Sequence, residues 1–106
     1  MAKYLVEASY TAEGAKGVLK DGGTKRRQAA EAAVKSAGGK LEAFYFAFGE
    51  NDVYAIMDAP DHATVAAASL AINASGAVRT RTIVLLTPEE IDQASKKGTT
   101  YTAPGH

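Results

Sequence analysis

The side chains with chemistry to offer in this 106-residue chain are two histidines, five tyrosines, twelve carboxylates and twelve basic groups, with no cysteine. His62 directly follows Asp61. An imidazole titrates near neutral pH, so His62 is a candidate acid or base, or else a solvated polar residue near a helix start. Asp52 ends the run Gly49-Glu50-Asn51-Asp52 and could polarise a ligand, although a carboxylate in a turn more often accepts bonds from nearby backbone N–H groups. Arg79 and Arg81 are two apart and share one face of a strand, where a guanidinium could hold a carboxylate ligand through two hydrogen bonds. Their ordinary alternative is an ion pair across the sheet with Glu7, Glu42 or Asp58, each of which falls within a strand pattern. If one of those carboxylates pointed into an enclosed space, burial would raise its pKa and make it a candidate base.

Tyr4, Tyr10, Tyr45 and Tyr54, with Phe44, Phe46 and Phe48, recur at a period of two. Such a set packs paired sheets by default, and it could also line a pocket for a flat ligand, with Tyr45 and Tyr54 offering hydroxyls. No metal is expected: thiolates are absent, His106 is terminal, and no His-x-x-His or carboxylate pairing occurs. Gly14-Ala15-Lys16-Gly17 and Gly22-Gly23-Thr24-Lys25 lack Walker spacing, and no cofactor is expected. Acidic and basic residues cancel, and only Lys25-Arg26-Arg27 and Lys96-Lys97 cluster, which is too little positive charge for a nucleic-acid surface. No apolar stretch approaches the ~20 residues that cross a bilayer. Met1-Ala2-Lys3-Tyr4 runs straight into a strand pattern, so a soluble cytoplasmic protein is expected, with neither nucleic acid nor membrane as partner.

These groups must be positioned by strands and helices whose limits are marked in the sequence. Lys3 to Tyr10 alternates and predicts a strand. Thr11 caps a short helix from Ala12 to Leu19, and Lys20-Asp21-Gly22-Gly23 breaks it. Ala30, Ala33, Val34 and Ala37 fall at i, i+3, i+4 and i+7, which predicts a second helix from Lys25, capped by Thr24 and closed by Gly38-Gly39. From Lys40 to Phe48 both faces are apolar, with Leu41, Ala43, Tyr45 and Ala47 opposing Phe44, Phe46 and Phe48, so both need a cover. Gly49 to Asp52 has turn chemistry and joins this strand to Val53–Asp58 as a hairpin. Asp61 caps a third helix that ends at Gly76, Val78 to Leu86 alternates as a fourth strand, and Thr87-Pro88-Glu89-Glu90 is a capping box for a short helix to about Ser95. Residues 1–95 are expected to form one domain and 96–106 a polar tail, in which Thr99-Thr100-Tyr101-Thr102 is β-prone.

The order predicts an α+β fold: a ferredoxin-like split βαβ with a four-stranded antiparallel sheet. Two helices cover one face of such a sheet, and the other would expose an apolar patch larger than monomers usually tolerate. A homodimer or larger assembly through that face, the dimeric α+β barrel, is the expected remedy.

The segments Phe44 to Val53, Ala59-Pro60-Asp61 and Ala77 to Thr82 resemble the GYD-domain family, and Tyr10-Thr11-Ala12-Glu13-Gly14 is similar to that family's passage from first strand to helix. The likeness runs over about residues 3 to 92, with Asn51 in the place of the tyrosine of Gly-Tyr-Asp. From Gly49 to Leu86 the chain also resembles the ligand-binding module of leucine-responsive (Lrp/AsnC-type) regulators. That second resemblance implies a dimeric barrel that binds small effectors between subunits, here without the winged helix-turn-helix.

The leading expectation is a small homo-oligomeric binding module, with an aromatic and carboxylate-lined cavity between sheet and helices or between subunits, for a small metabolite. Its candidate ligand-binding residues are Tyr45, Tyr54, Asp52, Arg79, Arg81 and His62. One alternative is a cofactor-independent isomerase or monooxygenase using Tyr45, Tyr54 or His62 as acid or base. Another is an interaction scaffold without ligand, whose barrel would be filled.

Overall fold

The computed structural model describes residues 2–106. Its elements are β1 (Ala2–Tyr10), α1 (Ala12–Asp21), α2 (Gly23–Ser36), β2 (Lys40–Phe46), β3 (Val53–Ala59), α3 (His62–Ala74), β4 (Val78–Leu85) and α4 (Pro88–Ser95). Three helix starts are fixed by side chains that accept otherwise unpaired N–H groups. Thr11 accepts from Gly14, Asp61 from Thr64, and Thr87 from Glu90, whose carboxylate accepts the Thr87 N–H in return. α2 starts differently from the expectation. Thr24 lies inside the helix, and the cap is Gly22, with φ of 81° and no side-chain bond. One glycine in a conformation that side chains disfavour makes the corner, so α1 continues past Leu19 to Asp21 before the chain turns.

The strands form one antiparallel sheet in the order β2-β3-β1-β4, and the ferredoxin-like α+β fold expected from the sequence is present. The register aligns Ala43, Ile56, Leu5 and Ile83 in one row across the sheet, and Tyr45, Tyr54, Glu7 and Arg81 in a parallel row. Helices cover the opposite face, which carries Tyr4, Val6, Ala8 and Tyr10 of β1 and Val53, Ala55, Met57 and Ala59 of β3. Pairing of β2 slips between Leu41 and Ala43, so Glu42 is an extra residue opposite β3. A bulge reverses the alternation beyond it. Leu41 therefore shares the helix-covered face with Phe44, correcting the uniform alternation that grouped it with Ala43 and Tyr45.

Two clusters make the core: Tyr4, Val34, Met57, Ala59 and Val65 at one end, and Ala8, Val53 and Val78 at the other. The second depends on close approach at Gly14, where a Cβ would lie 2.0 Å from the Ala77 carbonyl oxygen that also accepts the Thr11 N–H. α4 buries none of its residues, and the chain is elongated, 57 × 33 × 22 Å. No helix among the described residues is long and apolar enough to cross a membrane.

Candidate ligand cavity and open sheet face

The small residues of α2 and α3 leave space above the sheet. Ala29, Ala30 and Ala33 of α2 and Ala68 of α3 face Val6, Ala8 and Ala55 across a cavity of about 250 Å³. An engineered apolar cavity of about 150 Å³ takes up benzene, so this volume accommodates a small organic molecule. Its walls are mainly apolar, and the polar groups on them are Tyr10, Arg26 and the hydroxyls of Ser69, Ser75 and Thr80. Tyr10 ends β1 and Arg26 lies near the start of α2, so the two meet at one end of the cavity. Burial pushes the Tyr10 phenol up, Asp52 adds to this, and a hydrogen bond and charge from Arg26 oppose it. The hydroxyl is consequently protonated at neutral pH. Two other hydroxyls on the lining are already engaged: Thr80 Oγ1 accepts from Asn73 at 2.8 Å, and Ser75 Oγ donates to the Ile72 carbonyl at 2.7 Å.

None of the six candidate residues from the sequence lines this cavity. Four of them come together on the open face. Tyr45 and Tyr54 are paired across β2 and β3, Arg81 lies opposite Glu7, and Arg79 lies opposite Ser9. Asn51 ties this end of the sheet to the hairpin, for its amide donates to Glu7 and to the Tyr54 hydroxyl and accepts from Ser9, each at 3.3 Å. The ion pair expected for the arginines is not made. Among the described residues, the acidic partners Glu42 and Asp58 both bond Lys3, and the remaining salt bridge joins Arg27 to Glu31. Those two carboxylates, Glu42 first, raise the Lys3 pKa. Lys3 takes this role because the register sets it opposite Asp58 while the bulge brings Glu42 to the same end of the sheet.

Asp52 and His62 are engaged by the fold. The Asp52 carboxylate accepts the Tyr10 N–H at 2.8 Å, and the Asp52 N–H donates to the Ala8 carbonyl at 2.9 Å, so this residue fastens the hairpin to the end of β1. His62 Nδ1 lies 2.7 Å from the Tyr4 hydroxyl, with the two rings edge to face. Tyr4 is 2% exposed, and His62 gives its buried hydroxyl a partner.

The aromatic set does not form a single lining. Tyr4, Tyr10 and Phe44 go to the helix-covered face, Tyr45 and Tyr54 to the open one, and Phe48 is fully exposed beyond the end of β2. The residue missed by sequence reasoning is Arg26. Its signal was present, for Arg26, Ala29, Ala30 and Ala33 follow the spacing of a core-facing helix stripe, which places a charge where a small or apolar residue belongs.

A family model for the GYD domain matches residues 4–95. No curated protein and no solved structure matches the chain. With most of its length covered by that match, and with the strand and helix order found here, the chain belongs to the GYD-domain family.

Proposed function

We propose that this chain is a homo-oligomeric binding module that holds one small, largely apolar molecule between its sheet and helices α2 and α3. The observation that carries this reading is the mainly apolar cleft of about 250 Å³ between the sheet and helices α2 and α3. Small-molecule sites are concave, mostly apolar clefts with a few polar groups, and this one reaches solvent along Ala29 and Ser75. Binding is favoured over catalysis by the chemistry of the walls. The lining has one phenol and one guanidinium as ionisable groups, with no carboxylate or imidazole to move a proton.

Assembly is proposed through the open face. The row Ala43, Ile56, Leu5 and Ile83 is an apolar band between the polar row of Tyr45, Tyr54, Glu7 and Arg81 and the charged group Lys3, Asp58 and Glu42. A second copy related by a two-fold axis would set band against band and leave the polar rows at the rim. The test is a native mass spectrum of protein purified from its own host, read against a denatured spectrum of the same sample. A dimer or larger assembly carrying a discrete small mass is expected, and Ala33→Phe, which fills the cavity, should lose that mass while keeping the assembly. A monomer would overturn the assembly, and an extra mass retained by Ala33→Phe would overturn the location.

A further inference from the structure

We infer that the cavity selects a small monocarboxylate, its apolar body among the alanines of α2 and its carboxylate on Arg26 and the Tyr10 hydroxyl; this rests on the cavity reading proposed above. Arg26 occupies the first position of the stripe it shares with Ala29, Ala30 and Ala33, and it borders the cavity where the other three line it. Arg26 is part-exposed and its guanidinium shares a hydrogen bond with the Tyr10 hydroxyl, so only some of its five N–H donors are used there. Among the described residues, no carboxylate pairs with it. The neighbouring Arg27 pairs with Glu31, while no salt bridge among the described residues involves Arg26. Asp52, the nearest acidic group acting on Tyr10, already accepts the Tyr10 backbone N–H.

The local field has the same sign. Arg26 lies close to the N-terminus of α2, whose first turn has no acidic residue and whose cap offers no side-chain acceptor. A cation is disfavoured at the positive end of a helix dipole, and an anion bound beside it relieves both charges. The planar fork of arginine suits a carboxylate, which accepts two parallel N–H bonds, and the protonated phenol supplies a further donor. With Thr80 and Ser75 engaged elsewhere, the charged contact open to a ligand lies at this end, the Ser69 hydroxyl on α3 is a further neutral polar group of the lining, and the remaining walls ask for hydrocarbon.

The probes are octanoate and 1-octanol, which share the hydrocarbon body and differ in the head group, titrated into the intact protein by calorimetry or amide chemical shifts. Octanoate should bind about ten- to a hundredfold more tightly than octanol, the span expected for a charge-assisted pair. Arg26→Met, checked for folding by circular dichroism, should bring octanoate binding down to no more than that of octanol in the same variant, and Arg26→Lys should retain part of the preference. Equal binding of the two probes by the unaltered protein would overturn the carboxylate assignment and leave the cavity reading standing. Binding of neither would overturn both. Octanoate affinity undiminished in Arg26→Met would place the carboxylate elsewhere.

Discussion

The two faces of the sheet are built from the same strands yet follow different rules. On the face under the helices, Val53, Ala55, Met57 and Ala59 of β3 are all buried, and polar groups are admitted only with partners, as Tyr4 is with His62. On the other, Tyr54, Ile56 and Asp58 of the same strand remain part-exposed, and polar side chains bond one another along the surface. The helix-covered face is dense at its two clusters and empty between them, where α2 and α3 present alanine. The open face is continuous, with one apolar band and polar borders. A concave cleft is a property of the first face and complementary surface of the second, and this is why ligand and assembly are assigned to opposite sides of one layer.

Adjacent residues of β3 give the sharpest way to break that contrast. Met57→Asp puts an unpaired carboxylate into the packed cluster of Tyr4, Val34, Ala59 and Val65 and should cost more than about 4 kcal/mol, the range of the severe destabilising mechanisms. Its cooperative thermal transition should be lost. Ile56→Asp, one residue along, should leave the fold intact and weaken self-association by about 2 kcal/mol or more, as loss of a central interface residue does. Light scattering at micromolar concentration should then show a folded monomer. An unchanged assembly in Ile56→Asp would remove the open face as the interface.

A smaller effect is expected at Tyr4→Phe, which deletes the hydroxyl bonded to His62 but preserves the ring in the core. It should lower stability by about 1 kcal/mol in denaturant unfolding, with no change in association. The smallest concerns Lys3 on the open face. Its pKa is raised by Glu42 and then Asp58, so its stabilising contribution is fully present below the lysine pKa of the unfolded chain. That contribution disappears as pH climbs through the higher folded-state value. Lys3→Met should flatten this alkaline dependence. Since the pair is solvent-exposed, about 1 M salt should largely mask the difference.

Much of this protein is legible in its residues. The caps at Thr11, Asp61 and Thr87, the stop at Pro60 and the period-two strands determine the split βαβ order, because each is a local bonding or steric preference. The apolar stripe of α2 was legible in part, and Arg26 at its head was the overlooked clue. What only the tertiary structure decided are pairings between distant segments. The bulge at Glu42 moved Leu41 to the other face. The register gave Glu42 and Asp58 to Lys3 across 39 and 55 residues of chain and left Arg79 and Arg81 without ion pairs. Tyr10 and Arg26 meet at the cavity because the corner at Gly22 turns α2 back over the strand that Tyr10 ends. Periodicity fixes the face of a side chain relative to its neighbours within one element, whereas register, bulges and helix placement fix what that face meets, and those depend on the whole chain packing at once.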